Sequence, residues 1–228
     1  MIASAGIVAA WMICGYLIGS IPFGWLIGKA RGMDIREHGS KNIGATNCGR
    51  VCGWPYGVAA FLLDVGKGFF PALAAVVWLP ATIVGYESDR WLPTILIAIA
   101  PILGHVFPVF LRLKGGKAVA TALGVVLALP MLRWPALAAF GVWCLVTGVT
   151  RYVSVGSTAA ALTLLAIYLY VERSDLCYCK LPVTVLVILV VAMVIVRHRS
   201  NYVRLWKGTE SKLWGGRKAD ERPPASKS

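Results

Sequence analysis

Residues 91 to 111 read W-L-P-T-I-L-I-A-I-A-P-I-L-G-H-V-F-P-V-F-L, from Trp91 to Leu111, without a lysine, arginine, aspartate or glutamate. The apolar positions run on continuously instead of recurring every third or fourth residue, which describes a helix apolar on all its faces. At about 1.5 Å per residue such a run crosses a bilayer core of ~30 Å. Comparable runs cover 5–28, 54–79, 118–132, 135–150, 153–171 and 181–197. Across the 228 residues 58% are hydrophobic and only 14% charged, which excludes an ordinary soluble domain. The fold class is therefore an all-α integral membrane protein with seven transmembrane helices: one membrane domain over 1–206, then a basic tail over 207–228. Stripped of their flanks, 157–171 and 182–196 would each span only ~22 Å. Either their flanks, Arg151 to Ser157 and Arg197 to Asn201, dip toward the membrane or the bilayer thins locally.

The net charge of +13 is explained by where it falls. When the linkers are assigned alternately to the two sides, one side collects the basic residues of 29–50, of 112–117, Arg151 and those of the tail. The other holds only Arg90, Arg133, Arg173 and Lys180. The positive-inside rule makes the first side cytoplasmic, with the N-terminus outside and the C-terminus inside. Met1 to Ala10 carries no basic residue, so the first run reads as a retained span and not as a cleaved leader. Because topology accounts for the charge, no nucleic-acid partner is implied. Cys48 and Cys52 stand alone as a pair on the reduced side, a poor zinc signal, and Cys177 and Cys179 flank one tyrosine on the outer side. In the first run Gly15, Gly19, Gly24 and Gly28 read as helix-packing positions, and Pro22 as a kink.

Four polar clusters share the cytoplasmic side. The loop G-S-K-N-I-G-A-T-N-C-G-R, Gly39 to Arg50, is made almost wholly of donors, glycines and small residues. Gly39 and Gly44 permit turns with exposed amides, Ser40, Asn42, Thr46 and Asn47 add side-chain donors, and Lys41 and Arg50 add charge. Lys114-Gly115-Gly116-Lys117 opens the fourth run, where a helix N-terminus attracts phosphate, although the P-loop pattern is missing. Ser154 and Ser157 bracket a glycine at a span entrance, suited equally to capping and to holding a ligand. His198 and Asn201 are three apart, on one helical face. Within the second run, Asp64 and Lys67 are one turn apart and read as a structural pair, and His105 as a buried tie between helices.

Together these blocks resemble a known family. G-S-I-P-F-G-W-L-I-G-K (19–29), R-E-H-G-S-K-N-I-G-A-T-N (36–47), L-D-V-G-K-G (63–68), G-H-V-F-P-V-F (104–110), K-G-G-K-A-V-A-T (114–121), V-S-V-G-S (153–157) and R-H-R-S-N (197–201) are similar to those of the bacterial acyl-phosphate-dependent glycerol 3-phosphate acyltransferases, the PlsY type. The resemblance implies seven spans with the active site at the cytoplasmic face of the bacterial inner membrane. It implies acyl transfer from acyl phosphate to the 1-hydroxyl of glycerol 3-phosphate, without a protein nucleophile, cofactor or metal, and with membrane lipid as the surrounding partner. By motif position, Ser40, Asn42, Gly44, Thr46 and Asn47 line a phosphate hole, with Gly115 and Gly116 as further substrate-binding positions. Arg50 and Lys117 meet phosphate charge, Ser154, Ser157 and Asn201 orient the glycerol hydroxyls, and His198 supports that orientation and assists proton transfer. The chain departs from the family pattern at Lys41 and Ala118, where glycine is usual, and neither change removes a donor.

Other classes fit less well. A transporter or channel for a phosphorylated solute predicts basic groups on both faces and polar residues through the spans. A CDP-alcohol phosphatidyl transferase needs a metal-binding run of aspartates that this chain lacks. The H-x-x-x-x-D pair of acyl-CoA-dependent acyltransferases is also missing.

Overall fold

A computed structural model describes residues 2–79, 91–173 and 180–214. Arg90, Cys177, Cys179 and the tail beyond Trp214 lie outside the described residues. The described residues form helices and connecting loops, with no strand among them. In chain order the helices are α1 (Ile2–Ser20), α2 (Phe23–Ala30), α3 (Ala45–Cys52), α4 (Trp54–Trp78), α5 (Trp91–Val106), α6 (Val119–Ala128), α7 (Arg133–Thr150), α8 (Val153–Glu172), α9 (Leu181–Arg197) and α10 (Arg199–Trp206).

Four of these, α4, α5 with its 3-10 extension, α7 with its leading turn, and α8, are long and apolar enough to cross a bilayer. A fifth such segment is Ala5–Ala30, which joins α1 and α2. α9 and α10 pass the same test together but bend by 45° at His198. The count of seven is not reached on length, because α6 has only ten residues, or about 15 Å. The apolar sequence continues past it, but Pro130 ends the α-helix and Pro130–Leu132 winds as a 3-10 turn. That turn joins α6 to α7, and Arg133-Trp134-Pro135 opens α7.

The central helix is α5, with 67% of its apolar stretch buried against 22% for the first segment. Small residues set the close packing. A Cβ on Gly19 would stand 2.2 Å from the Pro101 carbonyl, and one on Gly124 2.0 Å from that of Val65, so α1 meets α5 and α6 meets α4 backbone to backbone. Outward-facing Phe70, Val77, Trp78, Leu145 and Val149 are exposed, the reverse of a soluble surface and suited to lipid. α8 begins at Val153, so the flank 153–157 is part of a helix of 20 residues, about 30 Å long.

The kink expected at Pro22 is a full interruption between α1 and α2. It frees the Ile21 carbonyl, which accepts a hydrogen bond from Lys67 at 2.7 Å. Lys67 also pairs with Asp64 at 2.8 Å, both almost completely buried, as the sequence spacing indicates. Asp64 in turn lies 3.7 Å from the His105 ring, which ties α4 to α5. Charges at this depth persist only when paired in this way.

Candidate active site

The loop before α3 is built around one side chain. Asn47 is 1% exposed, and its amide nitrogen donates to the carbonyls of Ile35 (2.7 Å), Asn42 (2.9 Å) and His38 (3.2 Å). Its oxygen accepts from the Ser40 amide at 2.8 Å. With both ends of its amide engaged, Asn47 shapes the loop and has little left for a ligand. Arg36 (2.6 Å) and Lys29 (3.1 Å) hold Asp34 at the base, and these cations keep its carboxyl well below the usual carboxylate range. Asn42 caps the turn by accepting from the Gly44 amide at 2.9 Å. Lys41 is left-handed, with φ +57°, the backbone region glycine adopts most readily.

All four polar clusters enclose one cavity of about 340 Å³. Ser40, Asn42, Gly44, Thr46, Asn47 and Arg50 form one wall, and Lys117 another. Ser154 and Ser157 from α8, and His198 and Asn201 from the α9–α10 bend, complete it. Asp64 and His105 also line it. Gly115 and Gly116 do not line it. A Cβ on Gly115 would fall 2.1 Å from the His105 carbonyl, and one on Gly116 2.2 Å from His105 Nε2, so these glycines serve close packing. Ala118, the other departure from the family pattern, is buried and also left-handed, with φ +57°.

Lys117 donates to Asn201 Oδ1 at 2.5 Å. Burial lowers the Lys117 ammonium to about 8, against a partly offsetting attraction from Glu210. His198 bonds the Val194 carbonyl through Nδ1 at 2.8 Å. A carbonyl only accepts, so the proton sits on Nδ1 and Nε2 is left as the ring's acceptor. Burial and the nearby Lys117 push His198 down to about 4, so it is neutral near pH 7.

Two buried donors on the cavity wall, Arg50 Nε and Ser154 Oγ, have no partner among the described residues. Ser157 Oγ instead receives the Trp143 indole at 3.3 Å, which separates the two serines. Unpartnered buried donors carry a desolvation cost that a ligand removes. An apolar groove leaves the cavity, sharing Phe61, Val119, Ala120, Trp143 and Ser157 with it and continuing past Ala139, Leu164 and Val194.

Sequence reasoning missed the strap over residues 208–214. Glu210 accepts from Asn201 and from Arg204 (2.7 Å), Arg50 Nη2 donates to the Ser211 carbonyl at 2.9 Å, and the Leu213 amide donates to the Arg151 carbonyl at 2.7 Å. The tail therefore begins as part of the site. The available signal was that Glu210 is the only acid between Arg197 and Lys218.

The family model of glycerol-3-phosphate acyltransferase matches residues 9–208. The chain belongs to this family. It is 43% identical to the glycerol-3-phosphate acyltransferase of Aquifex aeolicus over 89% of this chain and 97% of that one. It is 38% identical to that of Acholeplasma laidlawii, over 89% and 91%. Among solved structures it resembles a crystal structure of PlsY, an integral membrane glycerol 3-phosphate acyltransferase, in its glycerol 3-phosphate form. That match has a TM-score of 0.78 and 40% identity, over 90% of this chain and 94% of that one. The lysophosphatidic acid form of PlsY matches with a TM-score of 0.75.

Proposed function

We propose that the protein transfers a fatty acyl group from acyl phosphate to the 1-hydroxyl of glycerol 3-phosphate, releasing lysophosphatidic acid and inorganic phosphate. This is the first acylation of phospholipid synthesis. The observation that carries the reading is a cationic, donor-rich cavity with two buried unpartnered donors, opening directly into an apolar groove. The cavity suits two phosphates and the groove suits one acyl chain. The glycerol 3-phosphate and lysophosphatidic acid forms of PlsY support the same acceptor here.

The acceptor oxygen attacks the acyl carbon, the bond from that carbon to the phosphate oxygen breaks, and the hydroxyl proton ends on the departing phosphate. Arg50 and Lys117 offset the charge of two phosphorylated molecules, and Ser154 and Asn201 orient the acceptor. His198 presents its free Nε2 as an acceptor to the glycerol hydroxyls. Its Nδ1 is held by a backbone carbonyl and not by a carboxylate, so His198 is not set up as the base of a Ser-His-Asp relay. The donor-rich loop of 39–47 supplies the leaving-group pocket. We place the cavity at the cytoplasmic face of a bacterial inner membrane. α6 and α9 complete seven membrane segments, with the N-terminus outside and α10 beyond the bend at the cytoplasmic face. The basic residues gathered at the cavity's end of the bundle support this orientation.

The test supplies purified protein with radiolabelled glycerol 3-phosphate and, in parallel, acyl phosphate, acyl-CoA or acyl carrier protein. Labelled lysophosphatidic acid is expected from acyl phosphate. Product from acyl-CoA with none from acyl phosphate would overturn the donor assignment.

A further inference from the structure

One guanidinium near the cavity has no part in the chemistry above. Arg197, the last residue of α9, does not line the cavity. Its Nη2 donates to the Gly116 carbonyl at 2.6 Å and to the Gly115 carbonyl at 3.1 Å. These are the two residues immediately before Lys117. The Gly116 amide is held by α5, donating to the His105 carbonyl at 3.1 Å. The loop is therefore gripped from both sides, by the end of α9 through its carbonyls and by α5 through an amide. The same α9–α10 bend takes hold of the loop again four residues later, where Asn201 accepts from the Lys117 ammonium at 2.5 Å. Lys117 thus has its backbone and its tip both tied to the α9–α10 bend, although Arg197 is 80 residues away in sequence.

We infer that Arg197 is a positioning residue for acyl transfer: by holding the Gly115 and Gly116 carbonyls it fixes the reach of the Lys117 ammonium into the cavity. Arginine suits this task because one fixed fork can serve two neighbouring carbonyls with little loss of freedom. The charges around Lys117 come from every side. Arg50 approaches from α3, Arg204 from α10, Glu210 from the strap, Arg197 from α9, and the neutral His198 from the bend. Arg197 is one of the three cations that disfavour a charged Lys117, so its removal also changes when Lys117 titrates. The inference rests on the acyltransferase reading.

The experiment uses the full chain in lipid nanodiscs, as wild type, R197Q and R197K, with acyl phosphate as donor and glycerol 3-phosphate varied. R197Q is expected to keep a cooperative melt within a few degrees of wild type and to lose about 10²-fold in kcat/KM, as a misplaced contact group does. The alkaline limb of its kcat/KM profile is expected to move upward, because one cation facing Lys117 is gone. R197K is expected to recover much of the loss, since an ammonium can still donate to both carbonyls. Wild-type kcat/KM in R197Q would overturn the inference. So would a loss with an unmoved alkaline limb and no recovery in R197K. If R197Q does not fold, R197M takes its place: a loss in kcat/KM with an alkaline limb moved upward supports the inference, and wild-type kinetics overturn it. If wild type fails to turn over acyl phosphate, the acyltransferase reading fails, and the placement of Lys117 by Arg197 is read separately, by binding. Calorimetric binding of glycerol 3-phosphate then decides: weaker binding in R197Q supports the positioning role, and unchanged binding overturns it.

Discussion

The loops 39–50 and 114–117 look alike in sequence, both rich in glycine and basic residues at a membrane edge, yet they are used differently. In the first, Asn47 is buried and turns the rest of the loop toward the cavity. In the second, the glycines face inward against His105 and Arg197, and only Lys117 enters the cavity. The composition of a phosphate-type loop therefore does not say which of its atoms meet phosphate. What the backbone is pressed against decides that, and it is a tertiary fact.

The largest effect separating the two loops should come from their cations. Arg50→Ala and Lys117→Ala are each expected to lose about 10²- to 10³-fold in kcat/KM with the fold intact, read by steady-state kinetics beside a thermal melt. Near-normal turnover in either would remove that residue from the site. The next effect contrasts the glycines. Gly115→Ala forces a Cβ to within 2.1 Å of a backbone oxygen that has nowhere to go, and should lower stability by about 1–3 kcal/mol. Gly44→Ala meets only the Asn42 side-chain oxygen at 3.1 Å and should fold normally. Equal melting temperatures for the two would erase the contrast.

A pH profile sharpens it further. Lys117 loses its charge as pH rises through about 8, so kcat/KM should fall there, and Lys117→Arg should carry that limb beyond the measured range. Stability runs the other way. Between about 8 and the ordinary lysine value of 10.5 the unfolded chain holds a proton that the folded one does not, so this group's contribution rises with pH across that window. His198, at about 4, stays neutral above pH 5, and His198→Ala should leave the alkaline limb in place. The smallest effect belongs to Lys41, exposed and left-handed on the first loop. Lys41→Gly should raise stability by roughly 0.5 kcal/mol, a gain read as a slightly higher melting temperature.

Much of this is legible in the residues themselves. Uninterrupted apolar runs locate the membrane helices, because lipid requires apolar faces all round. The site clusters announce themselves by donors where loops usually carry filler. The short α6 is not legible, since Leu129 to Leu132 continue the apolar pattern while Pro130 changes the winding. Nor are Arg197, Arg204 and Glu210, whose parts depend on what they touch across the fold. Asn47 reads as a ligand donor because its type fits that role, but burial assigns its amide to the loop.

The proposed reaction has one cavity hold both phosphates while the acyl group passes between them. It is tested most directly by following acyl [32P]phosphate and glycerol 3-phosphate together through a single turnover of the purified protein. One inorganic phosphate is expected for each lysophosphatidic acid formed, and almost none without acceptor. Phosphate release that proceeds equally well without glycerol 3-phosphate, or lysophosphatidic acid formed with no phosphate released, would contradict it.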